Sequence, residues 1–202
     1  MLRIDRSHTD LPDVESYRDQ FRSHQVVEFR EAFAPGFLDM LDTLADGSTF
    51  VQEEVKGLGY RAIEQPPISG GLIMLALARP EFLSWIKEVT GVDGVNDVVG
   101  KVVESGREPG EKLDWHDDLS QPHRRLGVTI NLSQAPYEGG MFELRRKGET
   151  DLLFRYKHDC KGAMLVFKVN DALEPQVTPV TDGLRRVFAG WFVHRDPEAA
   201  KT

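Results

Sequence analysis

Apolar positions recur at helical spacing up to about residue 97 and at strand spacing after it. Phe37, Leu38, Leu41 and Leu44 share one face of a helix that opens at Ala34-Pro35-Gly36 and ends at Gly47. Phe82, Leu83, Ile86 and Val89 do the same from Pro80, with Gly91 as the stop. A polar amphipathic stretch over residues 11–21 predicts a further helix, and residues 25–29 read as a short strand. The Gly- and Pro-rich segment 57–71 reads as an irregular loop over the surface or over a site mouth. Beyond residue 97 the period is two. Strands are predicted over 98–103, 126–132, 141–144, 163–167 and 186–193, with a turn at 137–140. Short strands at this spacing predict a β sandwich or barrel for the second half.

Length and charge narrow this further. The 202 residues suit one domain, and no repeat, low-complexity tract or linker divides them. A net charge of −8 argues against a nucleic-acid partner, which needs clustered Lys and Arg. The trio His123, Arg124 and Arg125 reads as a solvated loop. The single cysteine, Cys160, cannot form an intramolecular disulfide, which suits a reducing, cytoplasmic setting. The first residues carry charges where a signal peptide has an apolar core. No apolar run approaches the roughly 20 residues that cross a bilayer, so no membrane partner is expected. The expected partner is a small-molecule or peptide substrate. No apolar stripe commits the chain to an oligomeric state.

Candidate chemistry sits in Trp115-His116-Asp117-Asp118. Residues two apart in an extended segment face the same way, so the His116 imidazole and the Asp118 carboxylate can meet one metal ion. Far downstream stand Val177-Thr178-Pro179-Val180 and Arg185. A guanidinium fork pairs a carboxylate through two parallel hydrogen bonds and stays charged.

These pieces occur in order with Asn131-Leu132, Gly139-Gly140-Met141-Phe142-Glu143-Leu144, Gly162 through Phe167, and Gly183-Leu184-Arg185-Arg186 leading to Trp191. On those residues the stretch from Leu113 to Val193 resembles the catalytic domain of the iron(II)/2-oxoglutarate-dependent oxygenases, in the prolyl 4-hydroxylase-like branch. The resemblance implies an α+β, mainly β fold. A double-stranded β-helix, a jelly-roll-like barrel, would span 96–196, with a helical support region over 1–95 in a single domain of 1–202. It implies an Fe(II)- and 2-oxoglutarate-dependent oxygenase that hydroxylates an amino-acid, peptidyl or small-molecule C–H bond. His116 and Asp118 would be the catalytic metal ligands. Arg185 would hold the distal carboxylate of 2-oxoglutarate, with Thr178 and Tyr137 as further polar groups.

One position departs from that pattern. The family places its last iron-binding histidine where this chain has Pro175, which has no donor atom. Alternation turns Glu174 and Gln176 away from the face of residue 175, although a bulge would let the Glu174 carboxylate reach the metal. His8, His24, His123, His158 and His194 lack the family spacing and read as surface histidines. The alternative expectation is therefore a catalytically silent relative that binds a ligand or a protein.

Overall fold

The structure is a computed structural model, and it describes residues 1–55, 57–106, 108 and 110–196. In chain order it runs β1 (Arg3–Ile4), β2 (Thr9–Asp10), α1 (Glu15–His24), β3 (Val26–Phe29) and α2 (Pro35–Asp46). Then come β4 (Thr49–Val55), β5 (Gly59–Gln65), α3 (Ile68–Leu77), α4 (Pro80–Thr90) and β6 (Asp97–Ser105). The remainder is β7 (Arg124–Asn131), β8 (Glu138–Gly139), β9 (Phe142–Arg146), β10 (Leu152–Tyr156), β11 (Met164–Lys168), β12 (Leu173–Val177), β13 (Val180–Asp182) and β14 (Arg185–Val193).

Helix ends follow their local chemistry. Pro35 and Pro80 open α2 and α4, where a missing N–H is no loss. Gly91 closes α4 in the left-handed conformation, its N–H donating to the Lys87 carbonyl at 2.7 Å.

The expected loop over 57–71 is corrected: it holds β5 and the start of α3. The segment is rich in Gly and Pro, yet β4 and β5 form a hairpin in register from Thr49↔Gln65 to Val55↔Gly59. α3 escaped detection because its sequence is apolar almost throughout and its N-terminal donors are capped from outside. The buried Glu64 carboxylate accepts from the N–H groups of Ser69 and Gly70, both at 3.0 Å. The first half is thus more than helical support, since β3, β4 and β5 all enter the main sheet.

That sheet has seven antiparallel strands in the order β3-β11-β7-β14-β6-β5-β4. One face packs on the helices through Phe82, Phe188, Phe192, Ile130 and Ile86, all fully buried. The other face meets a second sheet, β10-β9-β12. Phe142, Leu144, Leu165, Phe167 and Leu173 form the core between the two. Phe167 packs at a tilt against Phe142, with ring centroids 4.8 Å apart, and lies directly over Gly127, where an added Cβ would fall 2.0 Å from the ring. Two facing antiparallel sheets with helices outside form the double-stranded β-helix expected above, and a cavity opens between them.

Candidate active site

The cavity measures about 800 Å³ including its open mouth. Its walls include Arg61, His116, Asp118, Thr129, Pro175, Thr178, Arg185 and Trp191. The structure brings together the three residues singled out from sequence. Asp117 is extended (φ −95°, ψ 142°) and points the other way, its carboxylate 2.9 Å from Lys147 Nζ. Its flanking residues therefore face the cavity together, with His116 Nε2 3.5 Å from Asp118 Oδ1. His116 Nδ1 sits 2.8 Å from the Asp114 carbonyl, a bond that in the neutral ring fixes the proton there and frees Nε2. Burial opposes charge on His116, but the Asp118 carboxylate and the Asp114 carbonyl outweigh it and raise its pKa.

Arg185 rises from the start of β14 at the closed end. It is 5% exposed, and no carboxylate pairs with it among the described residues. Its Nε lacks a hydrogen-bond partner, as does the buried hydroxyl of the neighbouring Tyr137. Burial lowers the guanidinium pKa against the favourable influence of Tyr137. Gly140 makes room for it: its φ is +59°, and a Cβ there would come within 2.7 Å of Arg185 Cδ. A buried, unpaired cation at the end of a cavity calls for an anionic ligand, because an isolated buried charge is costly. Thr178 lines the same wall, but its Oγ1 already accepts the Met141 N–H at 2.9 Å.

Pro175 faces the cavity, while Glu174 lies on the opposite face of β12. There its carboxylate pairs with Arg145 at 3.0 Å, and Arg145 in turn stacks on Trp115 at 4.0 Å. No bulge interrupts the pairing of β12 with β9. The structure thus does not bring Glu174 to the His116–Asp118 corner. Gln176 makes a side-chain hydrogen bond to Glu143. His158 is buried rather than superficial, at 5% exposure, and its Nε2 is 3.3 Å from Thr129 Oγ1. It stands beside Arg185 and not at the metal corner.

Sequence spacing does not reveal three residues in or beside the cavity, of which only Arg61 lines it. Arg61 belongs to β5, in the segment expected as a loop. Arg124, expected in a solvated loop, has a side chain only 17% exposed, over the Trp191 ring at 3.6 Å and 3.6 Å from Asp118 Oδ1. His158 carried no signal beyond its place before an apolar strand.

Burial and the adjacent Arg185 push the His158 pKa down to about 3. The folded state keeps this ring neutral, whereas the unfolded chain protonates it near its ordinary value of 6.5. Its contribution is intact above about pH 6.5 and is lost progressively as the pH falls toward 3. Between pH 7 and pH 5 the loss is about 2 kcal/mol. Urea unfolding at the two pH values should show His158→Gln losing less stability than the wild type by that amount; equal losses would contradict it.

The resemblance implies iron at this corner, and the spacing of the donors bears on it. Two ligands of one octahedral ion, each about 2.1 Å away at right angles, stand about 3 Å apart. His116 Nε2 and Asp118 Oδ1 suit that separation. Pro175 lines the cavity beside this pair, its carbonyl accepting the His116 N–H, and its side chain has no donor atom; no group of three or more His, Cys, Asp or Glu side chains converges among the described residues. The residues fit a divalent ion held at two protein corners.

Comparison with known proteins places this geometry in context. Residues 101–193 match the model of the 2OG-Fe(II) oxygenase superfamily. No curated protein matches the chain. Among solved structures, a prolyl-4-hydroxylase from Pseudomonas putida is 14% identical with a TM-score of 0.69, over 91% of this chain and 100% of that one. A prolyl hydroxylase from Trichoplax adhaerens, in complex with a hypoxia inducible factor peptide fragment, is 13% identical with a TM-score of 0.67, over 94% and 92%. A 2OG-Fe(II) oxygenase-family oxidoreductase from Burkholderia pseudomallei is 16% identical with a TM-score of 0.64, over 93% of each chain. The fold is shared with all three, and the β core of this chain, residues 101–193, is the part that matches the superfamily model.

Proposed function

We propose that the chain is an Fe(II)- and 2-oxoglutarate-dependent oxygenase that hydroxylates a C–H bond of a substrate entering the cavity mouth. The observation that carries this reading is Arg185, a buried cation without an acid partner among the described residues, in the same cavity as His116 and Asp118. His116 and Asp118 would hold the metal, and Arg185 would take the distal carboxylate of the keto acid. Bound iron supplies the redox chemistry that couples oxidative decarboxylation of the keto acid to oxygen insertion. The chain's own residues orient these components. The Asp114 carbonyl aims His116, Lys147 draws Asp117 away from the mouth, and Phe142, Phe167 and Val187 keep the interior apolar.

Pro175 favours a second reading, a silent relative that binds the keto acid without turnover. Succinate release separates the two. With Fe(II) and 2-oxoglutarate the wild type should release succinate, and Asp118→Ala should lower the rate at least roughly 100-fold, a direct ligand being worth no less than its outer-shell supports. Equal release by the two proteins removes Asp118 from the chemistry. No release by the wild type, with 2-oxoglutarate still bound, supports the silent reading.

A further inference from the structure

The cavity has a second cationic end that the keto acid does not explain. Arg61 lies on β5, and Ala62 of that strand pairs with Glu104 of β6. Ser105, the next residue of β6, pairs with Arg185. Arg61 and Arg185 therefore rise from strands separated by β6, about 10 Å apart at their backbones. Arg185 is sealed at the closed end, whereas Arg61 reaches toward Asp118 and Arg124. Three N–H donors at this second end are buried without partners: Arg61 Nε, Arg124 Nε and Trp191 Nε1. Among the described residues, Arg61 and Lys101 share the Glu53 carboxylate at 3.7 and 3.2 Å, and Arg124 lies 3.6 Å from Asp118. The nearby Lys112 is neutralised by Asp114 at 2.8 Å. A divalent ion on Asp118 would draw that carboxylate away from Arg124 and leave positive charge in excess there, even with the buried Glu111 in the same cavity.

From this we infer that the substrate is a small organic acid whose carboxylate docks against Arg61 and the Trp191 indole N–H, with Arg124 stacked behind. The inference rests on the oxygenase reading and names its substrate class. The side chains of Arg61 and Arg124 are 19% and 17% exposed. Donors recessed to this degree meet a small molecule that enters the mouth more readily than a protein surface laid across it.

The test uses acetate as the probe and acetamide as its neutral match, on protein already saturated with 2-oxoglutarate and Zn(II), a diamagnetic ion that leaves nearby resonances sharp. The readout is the indole N–H resonance of Trp191, assigned by its loss in Trp191→Phe. Acetate should move that resonance saturably in the low millimolar range, and acetamide should leave it in place. Arg61→Met should weaken the acetate effect at least roughly tenfold, the worth of one charge-assisted hydrogen bond. Arg61→Gln, which also removes the charge, replaces it should Arg61→Met lose the dispersed spectrum of a folded chain. A non-saturating shift, an equal response to acetamide, or an unchanged titration in the folded Arg61 variant overturns the inference. Binding of 2-oxoglutarate is measured separately by calorimetry. An unresponsive Trp191 in protein that holds 2-oxoglutarate sinks this inference alone. A saturable, Arg61-dependent acetate response in protein that fails to bind 2-oxoglutarate supports the second anion end and sinks the oxygenase reading.

Discussion

Arg185→Met should make the ligand-free protein more stable and abolish its response to 2-oxoglutarate. The two effects have one cause. The wild-type guanidinium is buried without a carboxylate partner among the described residues, so the empty fold carries an uncompensated charge. Replacing buried ionic groups with apolar ones of similar size is often neutral or stabilising by about 1–4 kcal/mol. Methionine fills much of the same space without charge. In a chain of about 200 residues a gain of about 1 kcal/mol raises the melting temperature by roughly 2–4 °C. The wild type should instead gain about 2.7 kcal/mol from 2-oxoglutarate at a hundredfold excess over its dissociation constant. Thermal melts with and without the keto acid, each in Mn(II), check both halves. A variant that is still stabilised by 2-oxoglutarate to the wild-type extent would place the anion site elsewhere.

The contrast between Arg185 and Arg124 shows which parts of the site were legible from sequence. Arg185 was readable because it sits in a run of ordered landmarks, from Gly139-Gly140 to Trp191, and its strand alternates cleanly. Arg186, the next residue, faces the opposite side and pairs with Glu104 and Asp46, both at 2.7 Å. Arg124 carries no local cue. It follows a polar turn, and only the antiparallel pairing of β7 with β14 lays it on Trp191. Arg61 was hidden for a related reason: a hairpin bounded by glycines and a Pro-Pro pair looks like a loop until long-range pairing with β6 fixes it. His116 and Asp118 were legible from their spacing, since one extended residue between them suffices to turn both to one side. Helices α2 and α4 were legible because periodicity and end residues agreed. α3 has no polar face to set a period, and its cap comes from Glu64 on the preceding strand.

Pro175→His should raise the affinity for Fe(II) or Mn(II) by at least roughly 100-fold, by adding the missing protein corner. The backbone is ready for the exchange. Within one strand residue, N–H and C=O point to the same side. The Pro175 carbonyl accepts the His116 N–H at 3.2 Å, and Val177 exchanges hydrogen bonds with Leu113 at 2.8 and 3.0 Å. The bonds of residues 175 and 177 therefore run toward the segment that carries His116. Those that hold β12 to β9 come from Glu174 and Gln176 between them. Proline is tolerated in β12 because its missing N–H falls outside the β9 ladder, and histidine in its place leaves that ladder intact. The register also keeps the new side chain on the cavity face, one backbone hydrogen bond from His116. Calorimetric titration of the wild type, Pro175→His and Pro175→His/Asp118→Ala with Mn(II) decides the point. Tight binding only in the first substitution, lost again in the double variant, shows that position 175 and Asp118 share one ion. Unchanged affinity in a folded Pro175→His chain would mean that residue 175 does not address the His116–Asp118 corner.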